Sequence, residues 1–219
     1  MRYFLFVSVV LFSHLACLQA QQVRIFRDTR DMKAYRYVRI GNQEWFAENI
    51  RFDIDGGYKF EETVENKILG YYYTCDAANY ICPKGWRLPN EKDWRILIDK
   101  VKNDAKMLKS EYLWLKGSAG NNRSGFNAVP AGYLLFDGSL FQGNGSFAKF
   151  WISNPKKSPS GKYVHIDQKV NQIQFFETSK DVALPCRCIH NKTKKKINLK
   201  KWFLSLPNLF TKKSDKNKK

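Results

Sequence analysis

The stretch from residue 82 to residue 94, Cys-Pro-Lys-Gly-Trp-Arg-Leu-Pro-Asn-Glu-Lys-Asp-Trp, constrains the fold more than any other part of the chain. Gly85 supplies a turn position that a side chain would hinder. Trp86 and Leu88 then alternate around Arg87, a pattern typical of a half-buried extended segment. The stretch therefore predicts a turn followed by a short strand.

A helix is expected directly after this strand. Pro89 disfavours helical angles at the residue before it, and Asn90 is a favourable N-cap. Acidic residues follow in the first turn and apolar residues recur as far as Val101, which predicts a helix from about Asn90 to Val101. Trp86 and Trp94 bracket the start of this helix, and side chains of this size usually anchor a core.

Residues 1–20 have the pattern of a secretory signal peptide. Arg2 precedes an apolar run over residues 3–12, which is too short for a permanent membrane span. Ala20 is the small residue at the expected cleavage site, so we expect an exported protein in an extracellular, outer-membrane or periplasmic location. The alternative is a lipoprotein signal, in which Cys17 is acylated.

One of the five cysteines lies in this signal, and the other four predict two disulfides in an exported chain. Cys186 and Cys188 have the spacing of one face of a strand, and Cys75 and Cys82 share a face if residues 72–81 are largely helical. A metal or redox site would need more thiolates or histidines, and the chain has three histidines in all. We therefore expect no metal and no cofactor.

The remainder of the chain predicts one or two early helices and a late run of short strands, which is typical of the α+β class. Early turns are expected at Asp28–Asp31 and Gly41–Asn42. The later strands are expected at residues 126–135, 147–152, 163–166, 173–176 and 182–189. The loops at residues 117–125, 138–146 and 154–161 are candidate ligand-binding segments on position alone.

Several segments together resemble the Fibrobacter succinogenes major paralogous domain family, over about residues 24–189. The matching segments are residues 30–33, 37–50, 70–73, 82–94, 108–110, 125–133, 150–153 and 186–189. The resemblance implies a compact, disulfide-bridged α+β domain over residues 21–190, distantly similar to C-type-lectin-like domains and formylglycine-generating enzymes. The structural motif residues that it implies are Trp86, Arg87, Leu88, Pro89, Trp94, Trp45 and Trp151.

The resemblance also implies a disulfide pairing. The family often has one cysteine at each of the positions of Cys82 and Cys188, which implies a bridge between these two residues. A bridge from Cys75 to Cys186 then follows as an addition. The alternative joins Cys75 to Cys188 and Cys82 to Cys186, and either choice closes long loops, for which the chain-entropy model gives about 4–5 kcal/mol.

Residues 191–219 form a tail that is basic and partly apolar. From Lys192 onward it has eleven lysines and one aspartate, and so carries +10 of the net charge of +18. Such a segment can bind an anionic membrane surface, whereas its composition is also typical of a solvated, partly disordered tail. The candidate contact residues are Lys194, Lys195, Lys196, Lys200, Lys201, Trp202 and Phe203. We do not expect an exported protein to bind nucleic acid.

The sequence favours a binding module over an enzyme. No nucleophile elbow, metalloprotease motif or phosphate loop is present, and His165 lies on a predicted strand. The segment Cys186-Arg187-Cys188 does not match the active-site cysteines of formylglycine-generating enzymes. Leu88 stands where a calcium-dependent lectin site needs an acid.

We therefore expect no catalytic residues and an exported surface or envelope-associated module that binds an unknown glycan, envelope component or protein. The alternatives are a structural component of an envelope assembly and a relative of the formylglycine-generating enzymes.

Overall fold

The structure of the protein is a computed structural model, which describes residues 22–59, 64–135, 141–153, 155 and 158–191. The predicted signal with Cys17 and the predicted tail contacts from Lys194 to Phe203 lie outside these residues. Within the covered ranges the chain forms thirteen short strands, three α-helices and one 3-10 helix. It is thus a small α+β domain in which strands dominate. No helix in the covered ranges is long and apolar enough to cross a membrane.

The elements follow one another in a simple order. The strands are β1 (Arg24–Arg27), β2 (Ala34–Ile40), β3 (Gln43–Phe46), β4 (Gly57–Tyr58), β5 (Tyr72–Tyr73), β6 (Trp86–Arg87), β7 (Tyr133–Leu134), β8 (Phe141–Gln142), β9 (Phe147–Trp151), β10 (Gly161–Asp167), β11 (Ile173–Thr178), β12 (Leu184–Pro185) and β13 (Ile189–His190). The helices are α1 (Val64–Leu69), α2 (Cys75–Ala78), α3 (Glu91–Lys100) and a 3-10 helix at Ala105–Met107.

The strands form four small antiparallel sheets. The first has the order β1-β2-β3-β13-β6, so β13 lies between two strands from much earlier in the sequence. The others have the orders β11-β10-β9, β12-β5-β4 and β7-β8. Because β12 and β13 belong to different sheets, residues 184–190 tie two sheets together.

The core is rich in aromatic side chains. Trp45 of β3 lies with its ring centroid 5.0 Å from that of Trp94 of α3, and Trp94 stacks on Phe150 of β9 at 5.7 Å. All three rings are fully buried. This cluster therefore holds α3 between the five-stranded sheet and the β11-β10-β9 sheet.

Several sequence predictions are confirmed. Turns separate β1, β2 and β3 as expected, and the strands predicted at residues 163–166 and 173–176 are present within β10 and β11, which pair with each other. Asn90 caps α3, whose bounds of Glu91–Lys100 agree with the predicted helix.

One condition is not met and two predictions are wrong. The condition that residues 72–81 be largely helical holds only for α2, because Tyr72 and Tyr73 form β5 by pairing with Pro185 and Leu184. The predicted strand at residues 126–135 is reduced to β7, since Asn127 and Gly132 both have positive φ. The predicted closing strand at residues 182–189 is divided between β12 and β13.

Candidate functional site

The Trp-Arg-Leu-Pro stretch joins the five-stranded sheet to α3 through one ion pair. Arg87 donates from Nη1 and Nη2 to the two carboxylate oxygens of Asp93, at 2.6 and 2.9 Å. Asp93 also accepts a hydrogen bond from the Asn90 backbone N–H at 2.8 Å, and its own N–H donates to Asn90 Oδ1 at 2.9 Å. The pair therefore completes a capping box and fixes the start of α3.

The predicted motif residues all lie at or near this junction or in the core. Trp86 packs on Phe46 with a centroid distance of 4.3 Å, and the Trp151 indole donates to the Tyr73 carbonyl at 2.6 Å. Leu88 is buried, and the Pro89 carbonyl accepts from the Ser153 N–H at 2.8 Å. These residues build the frame and leave little of their own surface for a ligand.

One disulfide, Cys82–Cys188, joins the loop before β6 to the residue before β13. The predicted second bridge between Cys75 and Cys186 is wrong in this structure, as is the alternative pairing, because both thiols are free and buried. Cys75 opens α2, whereas Cys186 follows β12 and donates weakly to the Leu184 carbonyl at 3.8 Å. Burial raises the pKa of both thiols.

Arg187, between the two cysteines, is a fully buried cation held by neutral groups. Its guanidinium donates to Asn49 Oδ1 at 2.6 Å, to the Phe126 carbonyl at 2.6 Å, to the Asn127 carbonyl at 2.7 Å and to the Phe46 carbonyl at 3.0 Å. Burial lowers the pKa of this group to about 9, which leaves it charged at neutral pH. Arg187 therefore clamps the loop at residues 126–127 to the strand β3.

A pocket of about 270 Å³ lies over Arg187. Glu48 at its wall binds Arg36 Nε at 2.5 Å and Arg51 Nη2 at 3.4 Å. The Tyr112 hydroxyl accepts from the Asn127 amide at 2.8 Å. The polar groups of this pocket are thus largely engaged with one another.

A wider basic cleft lies at the end of β2 and the end of α3, with a volume of about 850 Å³. Four exposed cations line it, namely Arg24, Arg39, Lys100 and Arg123, and none of the described lining residues is acidic. Glu44 accepts from Arg24 Nη1 at 3.3 Å, and the cations that line the cleft outnumber this one carboxylate. We call the cleft that Arg24, Arg39, Lys100 and Arg123 line the basic cleft.

The cleft draws its cations from separate elements. Arg24 lies on β1 opposite Tyr37, and Arg39 lies further along β2 on the same face. Lys100 ends α3, where the helix dipole favours a cation. Arg123 is held by the loop at residues 117–125, whose Ser124 hydroxyl donates to the Met107 carbonyl at 2.6 Å.

Of the three predicted ligand loops, the structure places one in this cleft. Residues 117–125 contribute Arg123 and Ser124 to its wall. Parts of the loops at residues 138–146 and 154–161 lie outside the described ranges, and their described residues include Gly143, which contacts the Phe147 ring, and Gly161, which contacts Trp151.

Sequence reasoning did not identify the cleft cations Arg24, Arg39 and Lys100 as a site, because they are far apart along the chain. The one signal present was the polar Gly/Asn loop that carries Arg123.

The titratable groups form no metal centre in the described part of the chain, where no three His, Cys, Asp or Glu side chains lie together. His165 lies on β10 as predicted, and desolvation together with the charge of Lys149 lowers its pKa. Its Nε2 is 3.5 Å from an oxygen of Asp167.

Comparison with known proteins gives one match. The model of the Fibrobacter succinogenes major domain matches residues 38–190, which is more than half of the chain of 219 residues. No curated protein matches the chain, and no solved structure matches it. The matched range runs from β2 to the end of β13 and includes both the disulfide and the Trp-Arg-Leu-Pro junction. The chain therefore belongs to the Fibrobacter succinogenes major domain family.

Proposed function

We propose that this protein is an exported, non-catalytic binding module whose basic cleft binds an acidic polysaccharide of the cell envelope. The observation that carries the proposal is the cleft itself, in which four cations from different elements face one space of about 850 Å³. Neither Lys100 nor Arg123 makes an ion pair within the described residues. Their charge is thus available to a ligand.

An extended polyanion fits this arrangement better than a small neutral ligand. Exposed cations are worth little when they act singly, but several on one concave surface raise the local concentration of a ligand of opposite charge. Repeated carboxylates along a polymer can meet Arg24, Lys100 and Arg123 at the same time, and each further contact adds avidity.

The proposal of no catalysis is supported by the state of the thiols. A reactive cysteine needs a lowered pKa and access to solvent. Cys75 and Cys186 have the opposite properties, because burial raises the pKa of both groups. We therefore propose that the chain resembles formylglycine-generating enzymes in its fold and does not share their activity.

We also propose that, within the α+β class, the domain has a C-type-lectin-like fold. This proposal is supported by the combination of short antiparallel strands, few helices and one disulfide between distant residues. Recognition is proposed to be independent of calcium, since Asn90 is engaged as the N-cap of α3 and Leu88 stands beside Pro89 in place of an acid.

The test is binding of polygalacturonate, a carboxylate polymer, measured by calorimetry with neutral dextran as the reference. The double variant Lys100→Glu with Arg123→Glu should weaken binding at least ten-fold, whereas the matched exposed variant Lys84→Glu, outside the cleft, should change it little. Binding should also weaken as salt is raised. Equal affinity of both variants, or equal binding of dextran, would refute the proposal.

The export, the envelope location and the tail form a separate part of the proposal. We propose that residues 192–219 add contacts to an anionic membrane surface, on the basis of their net charge of +10. Deletion of these residues should release the protein from the membrane fraction of the producing cell. Retention in that fraction would favour acylation at Cys17 instead.

A further inference from the structure

The outer face of the β11-β10-β9 sheet carries an unusual set of side chains. Val164 and Ile166 of β10 point into the core, so the alternate residues Tyr163 and His165 point to the other face. The register places Phe176 opposite Tyr163 and Lys149 opposite His165. This face is half-buried, because Trp151 lies on it opposite Tyr163 and is fully buried, whereas Phe176 is exposed.

The rings on this face form a continuous row. Tyr133 of β7 stacks on Phe147 at 5.9 Å, and Phe147 lies 5.4 Å from His165. His165 lies 5.7 Å from Phe176, and Phe176 lies 5.9 Å from Tyr163. Phe176 is 44% exposed, which is a high value for so large an apolar side chain. We call these five rings the aromatic face.

The Lys149 side chain lies against three of these rings. Its Nζ is 4.0 Å from the centroid of Tyr133, 4.9 Å from that of Phe147 and 5.0 Å from that of Tyr163. Within the part of the chain that the structure describes, it makes no hydrogen bond and no ion pair. Desolvation lowers its pKa, and ring faces compensate a cation only in part.

A second polar atom on this face also lacks a partner. His165 Nδ1 is buried and has no hydrogen-bond partner among the described residues. The ring is held by Asp167 on the Nε2 side, at 3.5 Å. The face therefore offers a ligand one cation without a counter-ion, Lys149, beside the exposed ring of Phe176.

We propose that the aromatic face is a second binding site, which takes one acidic sugar residue. The C–H bonds of a sugar ring carry partial positive charge and pack on the negative faces of Tyr163 and Phe176. The sugar carboxylate then forms an ion pair with Lys149, whose charge has no counter-ion among the described residues. None of these residues lines the basic cleft, so the site adds to the proposed function and rests on separate residues.

The test is an NMR titration of the full chain with methyl glucuronide. Methyl glucoside, which has the ring without the charge, and acetate, which has the charge without the ring, are the matched ligands. The glucuronide should bind best, because only it satisfies both the rings and Lys149.

Two variants locate the binding. Lys149→Met keeps the length and packing of the side chain among the rings, and should weaken glucuronide binding about ten-fold and remove its preference over the glucoside. Phe176→Ser changes an exposed side chain and should weaken both sugars. Circular dichroism establishes that each variant is folded.

The outcomes separate this site from the cleft. Absence of glucuronide binding, or unchanged binding by Lys149→Met, would overturn the proposal, as would loss of glucuronide binding in Arg123→Glu. Polygalacturonate binding that persists in Lys149→Met but fails in the cleft variants would support the cleft, whatever the result with the monosaccharide.

Discussion

Removal of the Cys82–Cys188 disulfide should cost a third or more of the stability of this domain. The bridge spans a sequence separation of 106 residues. The chain-entropy model gives a denatured-state entropy of about 16 cal/mol/K for a loop of this length, or about 4.8 kcal/mol at 25 °C. Small domains are stable by only about 5–15 kcal/mol, so the double variant Cys82→Ala with Cys188→Ala is expected to be marginally folded.

The measurement is equilibrium unfolding in guanidinium chloride, followed by the fluorescence of the buried tryptophans. Cys75→Ala with Cys186→Ala is the matched control, because it removes two sulfur atoms from the same core cluster and opens no covalent loop. The disulfide variant should also show a larger dependence on denaturant, since its unfolded chain is less compact.

A reductant provides the second arm of this experiment. It should lower the unfolding free energy of the unmodified protein to that of the disulfide variant, and leave the variant unchanged. A difference of less than about 1 kcal/mol between the disulfide variant and its control would refute the loop-entropy reasoning.

Three further predictions concern single groups. Asp93→Asn should lower the unfolding free energy by about 2 kcal/mol in the same assay, because it breaks the paired bonds to Arg87 and weakens the helix cap. Cys75 and Cys186 should react with a thiol dye only after unfolding, because both are buried and the pKa of each is raised. In the folded state the pKa of His165 lies below its ordinary value of 6.5, so the unfolded chain binds more protons than the folded one. The unfolding free energy should therefore fall as the pH is lowered from 7 towards 5. The variant His165→Gln should make this pH dependence weaker.

A different result would contradict each of these predictions. Unfolding free energies of the unmodified protein and of Asp93→Asn that agree within about 0.5 kcal/mol would show that an amide can replace the Asp93 carboxylate. Rapid labelling of the native protein would place Cys75 or Cys186 in contact with solvent. An identical pH dependence in the His165 variant would assign the effect to other groups.

Local signals account for the elements that the sequence predicted well. Asn90 caps α3 through its own side chain, a contact that needs only neighbouring residues. The hairpin of β10 and β11 follows from alternation on both strands and a short polar turn. The pairing of Cys82 with Cys188 follows from the family resemblance, since the spacing of the cysteines alone leaves the partners open.

The predictions that are wrong depended on distant contacts. Residues 182–189 look like one strand, but Leu184 pairs with Tyr73 and Ile189 pairs with Trp45, which lie in different sheets. Arg187 could have been noticed as the single cation in this apolar run, yet its four acceptors come from segments that no local pattern connects. The basic cleft is not predicted for the same reason, because its cations lie far apart in the sequence. Each of them also resembles any other exposed cation.

The position of β13 has a consequence for how the molecule is made. Ile189 bridges Trp45 on one side and Arg87 on the other, and Asn191 donates to the Gly85 carbonyl at 2.7 Å. A ribosome must therefore synthesise nearly 190 residues before the gap in the middle of this sheet is filled. Until that moment the facing edges of β3 and β6 lack the strand that joins them.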